Sequence, residues 1–152
     1  MKRLKKLEPD EFKTFTILAR PIAGDIRVRQ MRNFIQHGRR NTYDHCLSVA
    51  YTAFLLNRRL HLNADEEQLV RAALLHDYYL YDWHYKGDKL HGYHHPTIAS
   101  DNAARDFNLS NTELEMIKSH MWPLTLFHFP TSKGGWLISI ADKICSCEEI
   151  IA

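Results

Sequence analysis

Histidine is the residue type that stands out. The chain carries ten, and four of them, with two aspartates, fall on helical faces that are otherwise apolar. At spacings of three, four and seven residues, His45 lines up with Val49, Thr52 and Leu56, His76 follows Leu69, Ala72 and Ala73, and Asp77 follows Val70, Ala73 and Leu74. His95 precedes Ile98, Ala99 and Asn102, His120 follows Met116 and Ile117, and Asp142 lies between Ile138 and Cys145. Burying such a group without a partner costs roughly 2–7 kcal/mol when neutral and more when charged. One histidine of this kind would be an ordinary core residue bonded to a backbone carbonyl. Six polar groups on five helices would need six separate compensations, and a shared metal site supplies all of them at once. Imidazole and carboxylate suit Zn, Fe, Mn, Co or Ni. The wide spacing of the ligands is not that of a zinc finger. His76 and Asp77 are adjacent and point about 100° apart on a helix. A metal can still lie between them, and the aspartate's other oxygen can reach a second metal.

The elements that must position these groups read as helices. Pro9-Asp10 opens a short helix that ends before Pro21, and Gly24 to His37 reads as a second, stopped by Gly38. Asn41 or Thr42 caps a long helix to about Leu60, and Asn63-Ala64-Asp65 starts the next. Tyr78 to His94 reads as a functional loop, after which Pro96 sits in the first turn of a helix to about Phe107. Ser110-Asn111-Thr112-Glu113 fits a capping box for the helix carrying Leu114, Ile117 and His120, which Trp122-Pro123 ends. A last helix runs from about Trp136. No segment alternates well enough to be a strand, so the expected fold class is all-α, a compact helical bundle.

Composition narrows the class. The 152 residues suggest one domain, with a core that needs no staples. The formal net charge of +2 gives no strong nucleic-acid signal. The basic start Met1-Lys2-Arg3-Leu4-Lys5-Lys6 lacks the apolar region of a signal peptide, and no apolar run is long enough to span a membrane. Cys46, Cys145 and Cys147, an odd number, read as reduced thiols in a cytoplasm and as small core or helix-packing residues. The helical pattern is still running at Ala152, which leaves room for a longer C-terminus carrying substrate contacts.

His45, then Ala72-Ala73-Leu74-Leu75-His76-Asp77, then Ile140-Ala141-Asp142-Lys143 resembles the H…HD…D signature of the HD superfamily of metal-dependent phosphohydrolases. The resemblance covers roughly residues 41 to 150. His95-Pro96-Thr97-Ile98-Ala99 and Ile117-Lys118-Ser119-His120 resemble the extra ligands of its binuclear branches. It implies a single HD domain over 1–152, with N-terminal helices over 1–40 and a metal-binding core over 41–152. It also implies two divalent transition-metal ions, Fe or Mn favoured over Zn, Co or Ni. One would be held by His45, His76, Asp77 and Asp142. The other would be held by His95 and His120, with Asp77 as the bridging ligand and a metal-bound water as nucleophile. Met121-Trp122-Pro123 follows His120 where cyclic-dinucleotide phosphodiesterases of the HD-GYP branch carry a second histidine, which counts against cyclic-di-GMP cleavage. Leu80 stands where many relatives place a lysine three residues after the HD aspartate, so phosphate must be held from elsewhere.

The implied substrate is a small phosphate ester or anhydride, a nucleotide or dinucleoside polyphosphate foremost. Its phosphates need cations, and the candidates are Arg39, Arg40, Lys86, Lys89, Lys133 and Lys143; at least one is expected at the phosphate. Lys143 points about 100° from Asp142, which leaves its place open. Asp44, Asp82 and Asp101 are candidate partners for the ligand histidines, though each fits a surface acid as well. Tyr78 to Tyr85 either stacks a base or packs its rings over the bundle. His84, His91 and His94 are rim candidates, with His95 preferred to His94 as ligand; His37, His61 and His128 read as solvent-facing loop residues. Two other functions fit an HD domain: a di-iron oxygenase with a similar ligand set, and a sensor without catalysis. The complete set of six counts against the second. Oligomeric state is not legible.

Overall fold

The computed structural model describes residues 6–80 and 91–151. Helices dominate, and local capping explains where most begin. α1 (Pro9–Ala23) has Pro at its first position and a reciprocal capping box between Glu8 and Glu11. α3 (Thr42–Arg59) starts where the Asn41 side chain accepts the Asp44 amide. α4 (Glu66–Leu75) starts likewise at Asp65, and α6 (Asn111–Lys118) at the Ser110–Glu113 capping box. α7 (Lys133–Ile151) begins three residues before the expected Trp136, with Ser132 Oγ accepting the Gly135 amide at 3.0 Å.

Three expectations need correction. Pro21 lies inside α1, in its last turn, where a proline costs a single backbone bond before the helix ends at Gly24. Pro96 lies inside α5 (His91–Asp106), not in its first turn. The stretch 24–37 is not one helix. It divides into a one-turn α2 (Ile26–Arg29), a 3₁₀ turn (Gln30–Asn33) and an extended β1 (Ile35–His37), which pairs antiparallel with β2 (Arg40–Asn41). Gly38 turns this small hairpin in the left-handed region, at φ 58°, rather than stopping a helix.

α3 packs against α4 and α7, α4 also touches α1 and α6, and α5 lies along α6. The core is built from Val49, Ala53 and Phe54 of α3, Leu69, Val70 and Ala73 of α4, and Leu137, Ile138 and Ala141 of α7. Each larger side chain among these contributes about 1.5–3 kcal/mol by leaving water. The alanines let the helices approach closely enough for polar groups on three of them to meet. No helix among the described residues is long and apolar enough to cross a membrane.

Candidate metal centre

The six polar groups that the sequence placed on apolar faces come together in one place. His45, His76 and His120 are fully buried, and Asp77, His95 and Asp142 nearly so. Their ligand atoms form two groups that could each hold a metal ion: His45, His76, Asp77 and Asp142, and Asp77, His95 and His120. Asp77 belongs to both. Its Oδ2 lies 3.4 Å from His45 Nε2 and 3.3 Å from His76 Nε2, while its Oδ1 lies 3.1 Å from His95 Nε2 and 3.3 Å from His120 Nε2. Asp142 Oδ1 closes the first group, 3.0 Å from His45 Nε2 and 3.5 Å from His76 Nε2.

His76 and Asp77 do not sit side by side on a helical face. His76 is the C-terminal cap of α4, and Asp77 lies in the turn beyond it. His120 likewise follows the end of α6. A helix leaves its last carbonyls without intrahelical donors. His76 Nδ1 donates to Ala73 O and His120 Nδ1 to Ile117 O, both at 2.6 Å. The same bond gives the carbonyl at the helix end a second donor and holds the ring with Nε2 turned inward. His45 is oriented differently: its Nδ1 donates to Glu149 Oε2 at 2.8 Å.

Two further groups that the sequence did not single out complete the setting. Gln36, on β1, donates from Nε2 to Asp77 Oδ2 at 2.9 Å and accepts the Tyr79 hydroxyl at Oε1. Glu149, seven residues after Asp142 on α7, receives the His45 proton and lies 3.5 Å from Arg40 Nε. The expected partners do neither. Asp44 accepts from the side chain of Asn41, which caps α3, Asp101 is exposed, and Asp82 lies outside the described residues.

The donor chemistry fits a cation. His76 Nε2 and Asp77 Oδ1 are buried with no hydrogen-bond partner, although His76 Nε2 has carboxylate oxygens, and Asp77 Oδ1 has imidazole nitrogens, within 3.5 Å. His95 Nε2 and His120 Nε2, two imidazole nitrogens, stand 2.9 Å apart. Without a cation, burial opposes charge on His45 and His76, but Asp142, Asp77 and Glu149 at the former and Asp77 foremost at the latter hold both rings well above 6.5. Burial works against the carboxylates too, yet His76 keeps Asp77, and His45 keeps Asp142, well below the usual range. At His120 burial prevails and pushes the ring down. The centre is thus rich in anionic oxygen and donor nitrogen, and short of cationic charge that belongs there.

A cavity of about 720 Å³ opens over it. Asp77, His95 and Asp142 line this space, with Gln36 and His37 beside them. His37 is therefore half-buried at the site, 5.6 Å from the His45 ring, not a solvent-facing loop residue. Lys143 lines the cavity, its Nζ tied to Ser139 Oγ at 2.8 Å. Arg39 and Arg40 instead line a separate cleft with Glu148 and Glu149, and Lys133 is exposed at the start of α7. Lys86, Lys89 and His84 lie outside the described residues, as does the side chain of His91. His94 is exposed while His95 is buried. Tyr78 and Tyr79 are both fully buried, so the described start of the aromatic loop packs its rings, and Tyr78 donates to Asp106 at 2.7 Å. Cys147, expected to pack, is exposed and lines the cavity; Cys46 and Cys145 are buried.

The HD domain family model matches residues 42–146, more than half of the chain and all six of the converging residues. The chain belongs to the HD domain family. This is a superfamily of metal-dependent phosphohydrolases, built as a helical bundle. No curated protein and no solved structure matches the chain. Gln36 and Glu149 both lie outside the stretch this HD domain shares with its family.

Proposed function

We propose that this HD domain protein is a phosphohydrolase that holds two divalent transition-metal ions and cleaves a phosphate ester or anhydride bond of a small phosphorylated substrate. The observation that carries the reading is the division of Asp77: one carboxylate oxygen faces His45 and His76, the other faces His95 and His120. A single ion would leave one of these sets without purpose. His45, His76, Asp77 and Asp142 would hold the first ion, and Asp77, His95 and His120 the second. Such ions lower the pKa of water to near neutrality and draw charge from phosphoryl oxygens.

The chain's own groups supply the rest. Ala73 O, Ile117 O and Glu149 fix three histidine rings, so little reorganisation accompanies substrate binding. Gln36 keeps the Asp77 carboxylate from rotating. Lys143 offers an ammonium at the cavity wall, where a phosphoryl oxygen can meet it.

The test is phosphate release from a panel of phosphate monoesters, nucleotides and dinucleoside polyphosphates by protein reconstituted with Mn or Fe, with and without oxygen. Release under both conditions is expected. Turnover of an organic diol that requires oxygen would instead assign a di-iron oxygenase. No turnover with any substrate would leave a sensor module.

A further inference from the structure

The cavity over the metal centre has two chemically distinct parts. Its floor is the polar set Asp77, His95 and Asp142, with Gln36 and His37 beside it. The rest of its lining is mostly apolar: Met121, Pro123 and Leu124 from the segment after His120 and Ile150 from the last turn of α7, with Ser146 and Cys147 beside them. Between them stands Lys143, the one lysine or arginine lining the cavity among the described residues. Lys143 is not a free surface cation. Its Nζ donates to Ser139 Oγ at 2.8 Å and lies 3.3 Å from the carbonyl oxygens of His120 and Ser139, which ties it to α7 and to the residue that ends the second ligand group. The Arg39–Arg40 pair lines a different cleft, and Arg40 is engaged with Glu149 and Ser48.

Charge and polarity therefore fall off outward from the metal centre. A single phosphoryl group fits the floor, where its charge meets the centre and one ammonium. A polyphosphate chain would carry its further charges along Met121, Leu124 and Ile150, where losing water is costly and no described cation repays it. An apolar or aromatic alcohol portion gains by covering that wall.

Building on the phosphohydrolase reading, we propose that this site takes a phosphate monoester with an apolar or aromatic alcohol portion, seated with its phosphoryl group between the metal-ligand cluster and Lys143 and its organic group against Met121 and Leu124. In the reaction water adds to phosphorus, the ester P–O bond breaks, and the alcohol leaves with a proton taken from that water.

The experiment uses the full chain loaded with Mn and compares phenyl phosphate, methyl phosphate and a dinucleoside tetraphosphate. In parallel, calorimetry compares the binding of phenylphosphonate and methylphosphonate. The phenyl member of each pair should be favoured by about tenfold or more, since one well-placed apolar group is worth that much in a pocket. Leu124→Asp and, separately, Met121→Ala should each shrink the phenyl-to-methyl ratio in both readouts, with helical content checked by circular dichroism. Equal handling of the two phosphonates, or a preference for the tetraphosphate, overturns this inference while the hydrolase reading stands. If no phosphate is released from any ester or anhydride, the hydrolase reading fails, and the phosphonate binding ratio still decides which ligand class the cavity takes.

Discussion

Glu149 accepts a hydrogen bond from His45 Nδ1 at 2.8 Å, joining residues 104 positions apart at the two ends of the HD core. Its carboxylate is almost wholly buried and also meets Arg40, so the bond is held from both sides. A carboxylate behind a ligand histidine raises the basicity of the ring and fixes its direction. Glu149→Ala should therefore weaken metal binding at the first site by about 10–100-fold. Glu149→Gln, which can still accept the Nδ1 proton, should lose less. Chelator competition measures both, and unchanged affinity in both variants would remove Glu149 from the metal's support.

Asp77 and His120 predict unequal losses. His120→Ala takes a ligand from the second group alone and should leave one ion per chain with the fold intact. Asp77→Ala takes a ligand from both groups and should leave none. Elemental analysis of the two variants side by side is the check; equal metal content in both would mean that Asp77 does not join two sites.

Gln36 bonds Asp77 with its amide while its carbonyl accepts the Tyr79 hydroxyl. Removing a buried partner takes one hydrogen bond from each of these two neighbours. Gln36→Ala should cost about 1–3 kcal/mol in urea unfolding of the metal-free protein. A cost within error of zero would show that Asp77 and Tyr79 find other partners.

The pH dependence has a defined sign. In the metal-free protein the carboxylates hold His45 and His76 above 6.5 against the effect of burial. Protonated rings thus add stability that is complete below the unfolded value and fades as pH rises through the raised one. A bound cation replaces those protons. The difference in Tm between metal-loaded and metal-free protein should widen from about pH 6 to about pH 9. A difference that narrows over that range would contradict this account of the centre's charge.

The helices and the six converging residues were legible because their signals are local or periodic. Asn41 and Ser110 announce helix starts through side chains that bond the next turn's amides, and a histidine such as His45 among Val49 and Leu56 is conspicuous on any apolar face. What periodicity could not give is where a helix stops. His76 and His120 follow helix ends, where their rings donate to the last turn's carbonyls, and Asp77, in the turn beyond α4, meets the Gln36 amide instead. The hairpin over 35–41 escaped because three residues are too few to alternate; Gly38, read as a helix stop, was its one local sign. Gln36 and Glu149 were hidden because a lone glutamine or glutamate is an ordinary surface residue. Glu149 did leave a trace, since it lies two helical turns after Asp142 on the same face of α7.

The central claim is that Asp77 joins two metal sites in one chain. Elemental analysis of tag-free protein, purified without chelators and reconstituted with Mn, Fe, Co, Ni or Zn, tests it directly. Two ions per chain, one for each ligand group, is the result this account predicts. A single ion or none under all five metals would contradict it.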